Sequence, residues 1–306
     1  MEASQKSAFW LGALAALLWS PHFFIVESLR RAGVPLLVAQ FHLVFWPALV
    51  LGVVVFLSGR GAVVSAFRGQ APHVLALAAV GGYGFWVLRT VALDSPAVPY
   101  AQALFYAAPA VIGLLSAFTP ERAGPRLGGA LFLGFVGCAL IAAGQHGEGA
   151  AGFRLGAALA ALGAAACWAL FSVLARPLVR EEEALPVAAL TTGVGAICLF
   201  VTCLSTGESI FRVSMGQLSA LALTGLFTVG LMMLLWLRCL SKVSAAQAAP
   251  LWYVGALFGI GWALVSGRGV SLWWTFAGVV LVLVALRRGL TGRQRVAVTI
   301  GDIIRG

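Results

Sequence analysis

Residues 155–175 read LGAALAALGAAACWALFSVLA, with no charged side chain among them. An apolar run of about 20 residues spans the roughly 30 Å hydrocarbon core of a bilayer as one α-helix. The run is too long for a β-barrel strand and does not alternate apolar with polar residues, which excludes a barrel. A counterpart lies near the start of the chain. Leu11-Gly12-Ala13-Leu14-Ala15-Ala16 matches Leu155-Gly156-Ala157-Ala158-Leu159-Ala160, and Trp19 with Phe23 and Phe24 corresponds to Trp168 with Phe171.

Outward from this stretch, ten such runs can be marked: 8–29, 36–57, 72–93, 98–118, 127–143, 155–175, 186–204, 216–237, 243–265 and 270–286. They take up most of the 306 residues, 61% of which are hydrophobic and only 10% charged. Soluble domains carry about 25% charged residues. Short connections such as Asp94-Ser95-Pro96 and Thr119-Pro120-Glu121 have turn chemistry. The predicted fold is therefore an all-α membrane protein with ten transmembrane helices.

Lys and Arg give the orientation. With the N-terminus in the cytoplasm, fourteen of the 20 lie inside, and Arg30, Arg31, Arg89, Arg154, Arg212 and Arg268 lie outside. Ten crossings put both termini on the cytoplasmic side of the cytoplasmic (inner) membrane. The net charge of +10 is scattered without a basic stripe, so a nucleic-acid partner is not expected. The five cysteines sit singly in apolar runs, against a disulfide framework or a zinc site. No metal and no cofactor are expected, and the chain is taken as a monomer.

The halves repeat. Ala101-Gln102-Ala103 and Ala246-Gln247-Ala248 each open the fourth helix of a half, and each of those helices carries a proline, Pro109 or Pro250. The expected units are residues 1–146 (helices 1–5), residues 147–288 (helices 6–10) and a basic tail, 289–306. Five helices is an odd number, so the second unit enters the membrane from the opposite side. Inverted repeats of this kind hold their solute near the bilayer midplane, at the repeat interface.

The text of Leu17-Leu18-Trp19-Ser20 with Phe23-Phe24, of Ala97 through Pro109, of Cys167-Trp168-Ala169-Leu170-Phe171 and of Ser244 through Pro250 resembles the drug/metabolite transporter superfamily, specifically its EamA-type members. The resemblance covers about residues 8–287. It departs where Ser20-Pro21 follows Trp19 in place of the usual glycine, and where helix 2 has Gln40 and His42 in place of an arginine. The wealth of aromatic residues looks most like the aromatic amino-acid exporter branch. The resemblance implies a 5+5 inverted repeat, with a central cavity from helices 1, 3, 4, 6, 8 and 9 and helices 5 and 10 as outer support.

Candidate solute-binding residues are Trp19, His22, Tyr83, Trp86, Tyr100, Gln102, Tyr106, Trp168, Gln247 and Tyr253, with Pro109 and Pro250 as kinks or hinges. Gln102 can bind the amino or carboxylate end of a solute, or bond a neighbouring helix. The prolines leave a carbonyl free one turn earlier, open to an ammonium group or to a neighbouring helix. Rings in a cavity suit flat apolar solutes, at about 0.5–1.5 kcal/mol per aromatic pair. At helix ends they are interface anchors instead, the reading given to Trp10, Trp46, Trp273 and Trp274. Fixed charge inside the membrane is scarce. Glu27 has Arg30 and Arg31 at helical spacing, which predicts a local ion pair. Arg89 is read as flanking the outer end of helix 3. His22 and His42 are either titrating or structural.

Low midplane charge fits a zwitterion. The reading is therefore an exporter of neutral or aromatic amino acids working by alternating access, not an enzyme. Efflux of cationic drugs is the alternative, although the deep carboxylate it favours is missing. Phosphorylated solutes or nucleotide sugars favour a deep Lys or Arg, which the sequence also does not offer. An intramembrane enzyme needs a His, Asp or Glu cluster, and a channel needs a pore loop; neither is visible.

Overall fold

The computed structural model describes residues 3–59, 70–94, 98–119, 124–146, 154–267 and 269–291. Helix α1 runs Ala3–Trp19 and resumes at His22–Arg31. The break falls at Ser20-Pro21, since proline has no N–H for the ladder. Then follow α2 (Leu36–Leu57), α3 (Ala71–Leu93), α4 (Val98–Phe105, then Ala108–Ser116) and α5 (Pro125–Gly144). The second half has α6 (Leu155–Ala175), α7 (Ala184–Ser205), α8 (Met215–Leu240), α9 (Ala245–Val265) and α10 (Leu272–Thr291).

Among the described residues, nine helices are long and apolar enough to cross a membrane, and the apolar part of α4, Ala101–Ser116, is shorter. The all-α membrane fold expected from the sequence is thus present. The limits shift most at the two ends: α1 starts at Ala3 and not at 8, and α10 continues past 286 to Thr291, because Leu286 to Thr291 contains no helix breaker except Gly289. That glycine lies against the Pro250 ring, where a side chain would collide.

The halves correspond in packing as well as in text. Helix α1 lies on α8 as α6 lies on α3; α2 lies on α8 as α7 lies on α3; α2 meets α7, and α5 meets α10. Exchanging the halves leaves each of these statements true. The third helix of each half also contains a π-helical turn, Ala78–Gly84 in α3 and Leu226–Leu231 in α8. Such turns occur mostly at functional sites.

Glycine sets two of the closest approaches. At Gly82 of α3 and Gly195 of α7, a Cβ on either residue would strike the other helix's backbone; Gly137 of α5 and Gly278 of α10 stand in the same relation. Small residues let membrane helices meet backbone to backbone. Gly193, Gly259 and Gly261 face open space.

A short antiparallel pair ties two loops together. Strand β1 (Gln145–His146) follows α5 and pairs with β2 (Gly269–Val270), which precedes α10. The outer surface is apolar: Phe56, Phe118, Leu272 and Trp273 are more than four-fifths exposed. Apolar exposure on this scale belongs against lipid. Trp10, Trp273 and Trp274 are on it, as their interface reading requires.

Candidate functional site

The α1 break brings Trp19 and His22 face to face, with ring centroids 4.5 Å apart and planes 15° apart. Arg89 of α3 reaches the same place. Its Nη1 donates to His22 Nε2 at 2.9 Å, and its guanidinium carbon lies 5.1 Å from the Trp19 ring and 6.0 Å from that of Trp86. On the other side, His22 Nδ1 is 2.5 Å from Thr228 Oγ1 in the π turn of α8, and Thr228 Oγ1 donates to the Thr224 carbonyl at 2.8 Å. Arginine can only donate, so Nε2 is the acceptor and Nδ1 carries the proton. A directed chain of bonds therefore runs from Arg89 through His22 into α8.

Arg89 corrects the sequence reading, which left it as an outer flank. It is 6% exposed and surrounded by α1, α3 and α4 side chains. Among the described residues it makes no salt bridge: Glu27 is held by Arg30 and Arg31, each at 2.9 Å, as the spacing predicted. The interior therefore contains a deep cation with no carboxylate beside it.

Arg89 lines a narrow cleft, with room in this state for little more than a water, together with Trp19, Phe23, Ala101, Gln102 and Phe105. A second cleft is lined by Gln102, Tyr106, Cys138, Gln145 and Ala256. Gln102 borders both. The buried Tyr106 hydroxyl forms no well-aligned hydrogen bond, although the Gln102 amide lies beside it. Both clefts lie toward one end of the bundle, where α1 and α3 finish and α4 and α6 begin.

Toward the other end the bundle is filled with rings. Trp252 stacks on Trp236 at 5.1 Å and meets Trp168 at 5.2 Å, and Phe85 sits 5.6 Å from Trp168. Trp236 Nε1 donates to Ser172 Oγ at 3.1 Å. The indole N–H groups of Trp168 and Trp252 are buried without a partner among the described residues. Arg89 and Trp236 are counterparts, each five residues past the π turn of its half. One half places a cation there and the other an indole. The open end thus carries a cation and an amide in an otherwise apolar lining, and the filled end is aromatic.

Of the residues singled out from sequence, Trp19, His22, Trp86 and Gln102 gather around Arg89. Tyr106 lines the second cleft, and Trp168 belongs to the aromatic floor. Three others have structural bonds instead. Tyr83 Oη pairs with Thr202 Oγ1 at 2.9 Å, joining α3 to α7. The Tyr253 hydroxyl donates to the Leu131 carbonyl of α5. Gln247 closes a capping box with Ser244, which starts α9. The side chain of Tyr100 lies outside the described residues. Pro109 stands just after the α4 break and Pro250 within a 3-10 turn, Ala249–Leu251. His42 Nε2 lies 2.9 Å from the Ile210 carbonyl, a structural role.

Sequence reasoning missed Arg89, Thr228, Trp236 and Trp252. Arg89 left a signal, since it lies inside the apolar run 72–93 and not in the turn that follows. Thr228 left none: its role depends on α8 meeting α1.

Residues 155–287 match the EamA-like transporter family. No curated protein matches the chain. One solved structure, described only as "Crystal structure of protein", is similar over 98% of this chain and 99% of its own, with a TM-score of 0.73 and 21% identity. At that identity the likeness concerns the fold.

Proposed function

We propose that this membrane protein, whose residues 155–287 match the EamA-like transporter family, exports neutral amino acids, aromatic ones preferred, as a secondary carrier. The observation that carries this reading is the contrast between the bundle's two ends: at one, a mainly apolar cleft that holds two polar side chains, Arg89 and Gln102; at the other, a sealed aromatic floor with two indole N–H groups unpartnered among the described residues. Buried donors without partners are rare and call for an explanation. A solute that reaches the floor when the far end opens would provide their acceptors.

In this reading the units 1–146 and 147–288 rock about the cleft, exposing it alternately to each side. Both termini are cytoplasmic in the inner membrane, so the cleft opens outward in the state seen here, and the monomer is the working unit. The aromatic walls receive the side chain of the solute. A cation at the cleft disfavours cationic drugs, the other substrate class considered.

Counterflow in proteoliposomes tests this. Preloaded unlabelled phenylalanine should drive accumulation of labelled phenylalanine, and other neutral amino acids should compete. Ohmic current without counterflow would make the protein a channel, and absence of exchange across a panel of neutral amino acids would overturn the substrate assignment.

A further inference from the structure

We infer that Arg89 is the anchor for a solute carboxylate, and that the cleft selects monoanionic or zwitterionic carboxylic acids with a flat apolar group. This deepens the reading above and rests on it for the identity of the amino acid. The carboxylate preference is argued separately, from the site.

A charge removed from water at this depth is costly unless it is paired. Arg89 is 6% exposed and makes no ion pair among the described residues. His22 accepts from Nη1 only, at 2.9 Å. A guanidinium has five N–H donors in a planar fork that matches a carboxylate bidentately. The bond to His22, fixed in turn by Thr228, orients the side chain, and Arg89 also borders the cleft. Indole rings 5.1 and 6.0 Å away stabilise the cation without neutralising it. The guanidinium is therefore held in place for a bidentate anion.

The rest of the cleft fits the rest of such a ligand. Gln102 offers an amide oxygen and two N–H donors for an amino or hydroxyl group. Trp19, Phe23 and Phe105 form the apolar wall. Ala101, Ala161 and Ala164 complete the lining with small side chains. A doubly charged phosphate is a poorer match, because Arg89 is the one cation lining this cleft among the described residues.

The test compares acids with their amides on the purified protein. Intrinsic tryptophan emission is titrated with phenylalanine, 3-phenylpropionate and acetate, and with the carboxamides of the first two. We expect the two aromatic acids to bind at least ten-fold more tightly than their amides. Arg89→Gln should remove that difference and Arg89→Lys should keep part of it. Equal binding of acid and amide by the wild type, no binding of any acid, or an unchanged preference in Arg89→Gln would each overturn the proposal. The acid–amide comparison needs only the wild type, so misfolding of a variant does not shield the idea. If 3-phenylpropionate binds with the expected preference while phenylalanine counterflow is absent, the amino-acid reading falls and the anchor stands. If counterflow is present without an acid preference, the anchor falls alone.

Discussion

Gln102 and Gln247 occupy matching words in the two halves, yet their surroundings separate them. Gln102 borders both clefts, whereas the Gln247 side-chain oxygen accepts from the Ser244 N–H and the Gln247 backbone N–H donates to the Ser244 hydroxyl, each at 3.2 Å. A side chain engaged in a cap has one duty. Gln247→Ala is expected to lower stability by about 0.5–2 kcal/mol, the range for lost caps, and to leave the KM for counterflow unchanged. Gln102→Ala is expected to raise KM several-fold with little change in melting temperature. Thermal unfolding in detergent, followed by counterflow, checks both. The sequence could not distinguish the pair, because a capping glutamine and a ligand-binding glutamine look alike until the chain around them is placed. The same holds for Tyr253, whose hydroxyl is taken by the Leu131 carbonyl.

At the scale of elements, the π turns of α3 and α8 matter most. A π turn widens the helix by one residue and points carbonyls and side chains where an α-helix would not. In α8 this sets Thr228 against His22. Thr228→Val preserves shape but leaves the His22 Nδ1–H without its acceptor. That is expected to cost about 1–3 kcal/mol, the penalty for an unsatisfied buried polar group, and to slow counterflow, because Arg89 loses the support that fixes it. Melting temperature and initial rate measure the two effects. Helix number, order and approximate limits were legible from runs of apolar residues, since a bilayer imposes length and hydropathy on each span separately. Breaks at Ser20-Pro21 and beside Pro109 had local causes and could be anticipated. The π turns could not, because they answer to neighbours: Gly82 must clear the α7 backbone, and Gly225, at the edge of the α8 turn, must clear that of α2.

For the whole molecule, the ion pair between Lys242 and Glu181, at 2.9 Å, closes the end remote from the clefts by joining the start of the α8–α9 connection to the α6–α7 connection. The ammonium beside it holds the Glu181 carboxyl below its ordinary range. The pair is therefore intact at neutral pH and is lost as pH falls through that lowered value. If the two ends open in turn, these connections must part. A reducible cross-linker joining Glu181→Cys to Lys242→Cys should abolish counterflow, reductant should restore it, and neither single variant should respond. Counterflow at full rate with the cross-link in place would show that this end does not open. The β1–β2 pair has a different bearing on such movement. Its bonds run from main chain to main chain, reinforced by Ser271 N donating to the Gly144 carbonyl at 2.7 Å, and they stitch α5 to α10 beside the glycine contact of Gly137 with Gly278. Main-chain stitches are blind to side-chain identity, so mutational drift can rewrite the solute chamber while this seam persists. In the alternating-access reading proposed above, α5 and α10 together would be the keel against which the other helices of each unit swing.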